Sequence, residues 1–420
     1  MQSAASALEC ANNAQLSLLR LLDPEVLADP YGLYRALSEQ DPVHWDPYLH
    51  AWVVTGYSEV ITVLKDYSAD RTPTQKHLEQ IGLSLLKPLA EVMVQQMLFM
   101  DGAMHARIRS ICSSAFTTRR VEQLLGEIES ITDKLIDRVI SSGRIDLIAD
   151  FANPFPAIVT AKLLGVPEED HVQLGLWTAD LAEVLGNFHH SPERVEQMVR
   201  SLEDLTSYVG AKIEEQRRSP TDSLIHSLMT VQVDGRPLSD KEVIANTIIT
   251  LIGGHETTTN LIGSGFLTLL RHPESLEQLR CHPEIAASAV EELLRFESPI
   301  QYTTRLAPAE MQLGLKVIEK GARVVAVLAA ANRDPHRFPD PDSLDLLRPD
   351  NRHLAFGWAA HFCFGAHLAR IQGQIAFRKL ISRLLRPALF DKTWNWKCNA
   401  GLRGLSALHI NFDPARPVTA

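Results

Sequence analysis

The residues that decide the fold lie near the C-terminus and read Phe356-Gly357-Trp358-Ala359-Ala360-His361-Phe362-Cys363-Phe364-Gly365, continuing into Ala366-His367-Leu368-Ala369-Arg370. Cys363 lies in a mostly apolar loop that leads directly into a predicted helix. Backbone N–H groups at the start of a helix favour the thiolate form of a nearby cysteine. A thiolate in a dry setting binds soft or borderline metals, and Gly365 lets a flat ligand approach the backbone. A buried structural cysteine is the alternative that these residues leave open.

Haem iron is one metal that such a cysteine binds, and a known family has this pattern. The run resembles the haem-binding loop of the cytochrome P450 family, Phe-x-x-Gly-x-His-x-Cys-x-Gly, at Phe356, His361, Cys363 and Gly365. Ala359 departs from it, because the family has glycine there. If that position requires a positive φ, alanine costs roughly 1–2 kcal/mol. The resemblance implies that Cys363 is the axial ligand of haem b, with Phe356, His361 and Gly365 in the cofactor site.

A second motif lies in the longest predicted helix, which Ser239 opens and which runs from residue 240 to about 270. Its centre reads Gly253-Gly254-His255-Glu256-Thr257-Thr258. Two adjacent glycines cost roughly 2 kcal/mol in a helix interior, and a buried acid needs a partner. A kinked core helix is the alternative. The motif resembles the family's (Ala/Gly)-Gly-x-(Asp/Glu)-Thr, which implies an oxygen groove beside the haem at Gly253, with Thr257 and Glu256 as catalytic residues and Glu256 relaying protons.

Further cationic residues match the family outside these two motifs. Asp101 is predicted to cap a helix on which His105 and Arg109, four residues apart, share a face. A solvated basic face is the alternative for that pair alone. The resemblance implies that His105, Arg109, Arg305 and His361 hold the haem propionates, a task that suits paired cationic donors.

A Glu-x-x-Arg pair, Glu292 and Arg295, lies on a predicted helix between the two motifs. Residues three apart on a helix can pair, although such a pair alone is a weak signal. The resemblance implies that Glu292, Arg295 and Arg348 brace the fold below the haem, which is a structural role.

Composition and organisation agree with a soluble enzyme. The chain has 420 residues, a formal charge of −10 and five cysteines, so we expect neither nucleic acid nor an anionic membrane as a partner, and no disulfide framework. No membrane anchor or signal peptide is expected, and the predicted location is the cytoplasm. Residues 1–22 are predicted to form a flexible tail and residues 23–420 a single domain. The predicted fold is mainly α with a small β-rich part, the P450 fold with a long oxygen-binding helix over the haem.

The activity implied by the resemblance is insertion of one oxygen atom of O2 into an apolar small molecule, most simply by hydroxylation. Epoxidation and coupling stay open. No Gly-x-Gly-x-x-Gly fingerprint is present, so electrons are expected from a ferredoxin and an NAD(P)H-dependent ferredoxin reductase. Arg352 and Arg370 are candidates for the docking patch, and ordinary surface charges are the alternative.

The expected substrate is terpenoid, polyketide or fatty-acid-like. The candidate pocket residues are mostly apolar: Leu98, Leu185, Ile249, Gly253, Ile300, Gln301 and Leu405. Arg71, Lys76 or His77 could bind a substrate carboxylate, but a solvated loop is the simpler interpretation of that segment.

Three alternative functions remain at this point. A haem enzyme driven by peroxide is disfavoured by the Glu256-Thr257 pair, as is a non-catalytic haem-binding sensor or carrier. A zinc or cysteine-hydrolase site at His361 and Cys363 lacks a second ligand pair. The pair His189-His190 suggests a surface loop rather than a metal site, because no further ligand lies at metal spacing.

Overall fold

Helices form most of the described chain, which comprises residues 16–72, 75–80, 84–186, 192–233, 235–391 and 394–418 of the computed structural model. The α-helices are α1 (Pro24–Ala28), α2 (Tyr31–Gln40), α3 (Tyr57–Asp66), α4 (Gln75–Gln80), α5 (Lys87–Met93), α6 (Gly102–Ala115), α7 (Thr118–Gln123), α8 (Leu125–Asp137), α9 (Pro154–Leu164), α10 (His171–Gly186), α11 (Pro192–Arg218), α12 (Leu224–Thr230), α13 (Asp240–Arg271), α14 (Pro273–Cys281), α15 (Ala286–Phe296), α16 (Leu328–Ala331) and α17 (Ala366–Arg383). A π-helical turn, Leu147–Ala152, precedes α9. The prediction of a mainly α fold is confirmed.

The strands form small sheets at the sides of the helical part. They are β1 (Val43–Asp46), β2 (Ala51–Val54), β3 (Arg144–Asp146), β4 (Thr303–Leu306), β5 (Met311–Leu313), β6 (Lys316–Ile318), β7 (Arg323–Ala326), β8 (Leu385–Leu389), β9 (Asn395–Trp396), β10 (Leu405–Ala407) and β11 (His409–Asp413). The described sheets have the orders β1-β2-β7-β4, β3-β11-β8, β5-β6 and β10-β9. Strand β2 pairs with β7 in parallel, although about 270 residues separate them, so a long crossover that contains most of the helices joins the two.

Helix α13 begins with a capping box. The Ser239 hydroxyl accepts from the Glu242 N–H, and the Glu242 carboxylate accepts from the Ser239 N–H. Most of its side chains are buried, since apolar residues occur nearly all round the helix. A less buried stripe runs through Ile249, Gly253 and Thr257, which are spaced four apart and therefore lie on one face. This stripe is where the central helix faces the candidate site.

Part of the segment that the sequence predicts to be a flexible tail is packed against the rest of the protein. Leu18–Leu22 forms a short 3-10 helix in which Leu18 and Leu21 are buried. The Ser17 hydroxyl and the Leu18 N–H both donate to the Asp46 carboxylate at 2.8 and 3.0 Å. Residues 16–22 therefore belong to the packed part of the chain. Residues 1–15, with Cys10, and the pair His189-His190 lie outside the described residues.

One described helical stretch, Leu147–Leu164, is long and apolar enough by length and composition to cross a membrane. The same stretch is 72% buried inside the protein, as is usual for a core helix. It packs in the largest cluster of buried apolar side chains, together with residues of α13 and α17.

Candidate active site

The cysteine loop places two backbone donors on its sulfur. The N–H groups of Gly365 and Ala366, at the start of α17, hydrogen-bond to the Cys363 thiol, as the helix start that follows the cysteine predicts. Burial raises the pKa of this thiol, and the two N–H groups, Arg109 and Arg370 oppose that rise. A Cβ atom at Gly365 would lie 3.9 Å from the sulfur. The loop thus provides two backbone N–H donors that would stabilise the thiolate form of Cys363.

The same loop turns through two left-handed residues. Gly357 has φ of +71° and Ala359 has φ of +55°. The Gly357 N–H donates to the Leu354 carbonyl at 2.8 Å, and the Cys363 N–H donates to the Phe356 carbonyl at 2.8 Å. The positive φ expected at Ala359 is therefore confirmed, and this alanine is strained where a glycine would not be.

On helix α13 the two adjacent glycines differ in their surroundings: one packs against a neighbouring helix and the other borders open space. A Cβ atom at Gly254 would come within 2.9 Å of the Thr160 hydroxyl on α9, so close helix packing requires glycine there. A Cβ atom at Gly253 would meet nothing within 4 Å among the described residues. The Thr257 hydroxyl donates to the Gly253 carbonyl at 2.6 Å. This bond fixes the hydroxyl at the edge of the open stretch of helix.

Glu256 has a partner that sequence reasoning missed. It is buried, and its Oε1 pairs with the Lys397 ammonium at 2.5 Å, while its Oε2 has no hydrogen-bond partner among the described residues. Lys397 follows strand β9, 141 positions further along the chain. A single lysine after an aromatic run offered no spacing signal that could have identified this contact.

Asp101 organises the cationic residues rather than capping α6. It makes no side-chain cap, which corrects the sequence prediction, and its carboxylate instead accepts from the N–H groups of Ala69 and Asp70 at 3.1 and 3.3 Å. The carboxylate also accepts from the Ser68 hydroxyl and lies 3.6 Å from the His361 imidazole. The carboxylate therefore ties residues 68–70 to the cysteine loop.

The predicted propionate residues come together around this carboxylate. The His105 and His361 rings lie 4.2 Å apart, and Arg109 donates to the Phe362 carbonyl. Burial, with Arg305 and His105 nearby, lowers the pKa of His361 to about 4. Burial also lowers the pKa of Arg305 to about 10 and that of His105, the latter with help from Arg109.

Arg71 joins the same cluster. Burial, with the nearby charge of Arg305, lowers its pKa to about 9, and its guanidinium lies 4.6 Å from the centre of the Phe99 ring. Arg71 does lie in a loop, but its side chain is partly buried against Phe99 rather than fully solvated. Lys76 is exposed, and the side chain of His77 lies outside the described part of the structure.

This cluster fits a cofactor that carries two carboxylates. The three guanidinium groups of Arg71, Arg109 and Arg305 outnumber the single Asp101 carboxylate by two positive charges. His105 Nε2 and Arg305 Nε are buried and have no hydrogen-bond partner among the described residues. Buried nitrogen atoms of this kind require hydrogen-bond partners, and an ionised carboxylate forms short, charge-assisted hydrogen bonds. Two propionate groups would satisfy both the charge and the free donors.

The candidate pocket residues divide into two groups. Leu98, Ile249 and Ile300 are partly exposed and Gly253 is exposed, as a cavity lining requires. The Asn246 side chain bonds to the backbone of Gln95 and Met97, which holds the segment with Leu98 against α13. These residues form an apolar surface beside the open stripe of the central helix.

Two of the predicted pocket residues face elsewhere. Gln301 is buried, its Oε1 accepts from the Tyr34 hydroxyl at 3.0 Å, and its Nε2 donates to the Ser298 carbonyl at 2.7 Å. Leu405 is buried in the apolar core. Both predictions are corrected, because hydrogen bonds to Tyr34 and Ser298 hold the Gln301 side chain and packing of strand β10 buries Leu405. The side chain of Leu185, on α10, lies outside the described part of the structure.

The structure also brings the three predicted bracing residues together. Arg295 donates to both oxygens of Glu292 at 2.8 Å, and Arg348 Nε lies 3.2 Å from each of them. Glu292 and Arg295 are fully buried. Of the proposed docking residues, Arg352 is exposed, whereas Arg370 is bound to Glu291 through two 2.8 Å bonds. Arg370 therefore serves the fold rather than an exposed patch.

Comparison with known proteins agrees with this geometry. The family model described as Cytochrome P450 matches residues 49–385. The polyketide biosynthesis cytochrome P450 PksS of Bacillus subtilis (strain 168) is 34% identical over 396 residues, which are 92% of this chain and 96% of that protein.

Two solved structures extend the comparison to the fold. P450BioI, in complex with an acyl carrier protein ligated with hexadec-9Z-enoic acid, is 34% identical with a TM-score of 0.88, and the match covers 93% of this chain and 99% of that one. The myxobacterial CYP267B1 in complex with myristic acid is 36% identical with a TM-score of 0.86, covering 94% and 99%.

Proposed function

The chain belongs to the cytochrome P450 family, so it is a haem b enzyme that incorporates molecular oxygen, and we propose that Cys363 binds the iron and that the substrate is an apolar acyl chain. The observation that supports this assignment most is the Cys363 sulfur held by two helix-start N–H groups beside a cluster with two excess positive charges. Sulfur ligation with hydrogen bonds from the backbone tunes the electron donation of a thiolate to iron.

The remaining residues have separate tasks. His105, Arg109, Arg305 and His361 would hold the propionates, and Arg71 is added to this set. Phe356 and Gly365 would contact the cofactor, and Gly253 would leave room for it beside α13. When bound, haem supplies the oxygen chemistry, in which R–H, O2, two electrons and two protons give R–OH and water.

The reaction consumes two protons, and we assign their delivery to Thr257 and Glu256. The Thr257 hydroxyl, anchored on the Gly253 carbonyl, presents a donor and acceptor at the open stripe. Glu256 has one carboxylate oxygen without a hydrogen-bond partner among the described residues, which can take and release a proton. Together they would bring protons to the reacting oxygen.

An acyl chain or polyketide-like substrate is favoured by the lining and by the relatives. Leu98, Ile249 and Ile300 offer apolar contacts only. CYP267B1 binds myristic acid, P450BioI binds a carrier-linked acyl group, and PksS is named for polyketide biosynthesis. Free fatty acids, carrier-linked acyl chains, macrolactones and terpenoids, titrated against the ferric protein, should differ in the shift of the Soret band. A shift with terpenoids alone would contradict an acyl substrate.

Electrons are proposed to come from a ferredoxin and an NAD(P)H-dependent ferredoxin reductase in the cytoplasm. The family model matches residues 49–385 and PksS aligns with 92% of this chain, so the described residues outside these matches are too few for a reductase domain. Exposed Arg352 is one candidate contact for an acidic ferredoxin. Turnover reconstituted with a ferredoxin pair, compared with turnover on added peroxide, tests this source.

The test of the iron ligand is the replacement Cys363→Ser. Thiolate ligation gives the ferrous carbon monoxide complex a strongly red-shifted Soret band, so we expect Cys363→Ser to lose that band. Cys281→Ser is the control, because Cys281 is free and exposed. A red-shifted band that survives in Cys363→Ser would overturn the assignment.

Turnover separates a monooxygenase from a sensor or a peroxide-driven enzyme. In Thr257→Ala we expect the product formed per electron pair to fall about 100-fold, which is the size of effect that loss of general acid–base catalysis produces. The amount of hydrogen peroxide released should rise. Thr259→Ala is the matched control, since Thr259 also bonds the carbonyl four residues back but is buried away from the stripe. An equal loss of product in Thr257→Ala and Thr259→Ala would contradict the oxygen-activating role of Thr257. So would a wild-type protein that forms no product with O2 together with a Thr257→Ala variant that is fully active with peroxide.

A further inference from the structure

The ion pair between Glu256 and Lys397 connects the centre of helix α13 with a distant hairpin. The Glu256 carboxylate is buried, whereas the Lys397 side chain is 31% exposed. A buried carboxylate without a partner is costly, so this lysine decides where the carboxylate rests. The contact therefore links the buried acid to the solvent side of the protein.

The hairpin that carries Lys397 is docked closely on the same helix face. The Lys397 N–H donates to the Gly404 carbonyl at 2.8 Å, which joins the two arms of the β9–β10 hairpin. A Cβ atom at Gly404 would lie 1.8 Å from the Asn260 Oδ1 atom. Because Asn260 is one helical turn after Glu256, the hairpin contacts α13 at two successive turns. Its backbone therefore fixes where the lysine side chain begins.

The histidine that precedes the acid is committed elsewhere. His255 Nδ1 lies 2.9 Å from the Thr178 hydroxyl, and its Nε2 lies 2.8 Å from the Asn153 amide oxygen. Both nitrogens are thus engaged on the side of α9 and α10. Among the described residues, Lys397 is the charged group found in contact with Glu256.

We propose that Lys397 is a positioning residue for proton delivery. The Lys397 ammonium binds Oε1 of Glu256 and leaves Oε2 available for proton transfer. Because the lysine side chain is partly exposed, it also connects the acid to solvent. This inference rests on the proposed function, because it assigns Glu256 as the proton relay. The residue acts through Glu256 and touches neither substrate nor cofactor in this assignment.

The first test compares Lys397→Met with Lys397→Arg. The methionine keeps the length of the side chain but removes the charge, so we expect product per electron pair to fall about tenfold through misplacement of the acid, with the electrons recovered as hydrogen peroxide. Arginine should restore most of the loss. The solvent isotope effect on turnover should rise in Lys397→Met alone, since proton transfer then limits the rate.

The matched control is Lys379→Met. Lys379, on α17, is 29% exposed and pairs with Asp133, on α8, at 2.8 Å. We expect wild-type coupling and isotope effect in this variant. A similar loss in Lys379→Met would mean that removing any partly exposed ion pair has this effect, and it would overturn the proposal.

A double-mutant cycle assigns the effect to the acid. In a Glu256→Gln background, Lys397→Met should change neither coupling nor the isotope effect further, because the carboxylate that it positions is gone. The C–O stretching frequency of the ferrous carbon monoxide complex gives a readout without turnover. It should shift in Lys397→Met and Glu256→Gln, and not in Lys379→Met.

Each outcome decides between the two proposals. If wild-type protein shows the red-shifted carbon monoxide band and forms product, unchanged coupling and C–O stretch in Lys397→Met overturn the role of Lys397 alone. A full effect of Lys397→Met in the Glu256→Gln background also overturns it. If the wild type shows neither band nor product, the proposed function fails first. The same cycle measured by urea unfolding then still tests the pair, and additive changes would refute it.

Discussion

At the scale of single residues, the cysteine loop carries a cost that its sequence already indicated. Ala359 has a left-handed φ of +55°, which places its Cβ close to the following carbonyl. The loop keeps its shape because its backbone is pinned by the bonds of Gly357 and Cys363 to Leu354 and Phe356. The alanine is therefore tolerated, at the expense of stability rather than of geometry.

We expect Ala359→Gly to raise the free energy of unfolding by about 1 kcal/mol, because relief of the left-handed strain exceeds the entropy lost with glycine. Urea denaturation of the haem-loaded protein measures this change. Ala360→Gly is the control, since its φ is not positive, and it should be neutral or slightly destabilising. A loss of stability in Ala359→Gly would show that the loop does not strain this residue.

At the scale of elements, helix α15 joins the cysteine helix to the segment before the cysteine loop. Glu291 binds Arg370 of α17 and lies 3.2 Å from His353, while Glu292 binds Arg295 and Arg348. Glu291 and Glu292, adjacent on one helix, therefore bind two different sets of partners. This arrangement explains why a short Glu-x-x-Arg pattern matters far from the reacting atoms.

Glu291 should make stability depend on pH in the acid range. Burial raises the pKa of Glu291, but hydrogen bonds from Arg370 and His353 outweigh it and lower the pKa from 4.5 to about 2. A depressed carboxylate pKa stabilises the fold above pH 4.5, and this contribution is lost as the pH falls toward 2. The difference in unfolding free energy between wild type and Glu291→Gln should be about 3 kcal/mol near neutral pH and shrink below pH 4.5. A difference independent of pH would contradict this account.

Glu292→Gln should cost about 3–5 kcal/mol, because it leaves two guanidinium groups in the interior without a carboxylate. Urea unfolding and the haem content of the purified protein measure the effect. Glu277→Gln is the matched control: Glu277 also pairs with an arginine three residues later, but its side chain is 64% exposed. We expect that control to change stability by less than about 0.5 kcal/mol. Equal costs would mean that burial of the pair has no energetic consequence.

At the scale of the whole molecule, the site is assembled from segments that are far apart in the chain. The cationic cluster combines Arg71, the start of α6, strand β4 and the cysteine loop. The parallel pairing of β2 with β7 and the packing of the N-terminal segment hold the β-rich side together. Stability of that side can therefore be separated experimentally from ligation of the iron.

Leu18→Ala tests this separation. Leu18 is fully buried beside the β-rich side, so its truncation should cost about 2–4 kcal/mol while leaving the carbon monoxide band unchanged. Leu22→Ala, at a side chain that is 54% exposed, should cost less than about 0.5 kcal/mol. Equal and small effects of the two changes would instead support a flexible tail that reaches residue 22.

The sequence by itself determined the cysteine loop, the glycine-rich turn of α13 and the Glu-x-x-Arg pair, because each is a local set of residues whose spacing sets its geometry. The fold class followed from the resemblance of these motifs, in this order, to a known family. Only the tertiary structure decided that Lys397 pairs with Glu256, that Arg71 joins the cationic cluster, and that Gln301 and Leu405 point into the protein. The reason is physical: a side chain's partner across the fold depends on how strands and helices pack over hundreds of residues. Local spacing carries no record of that packing.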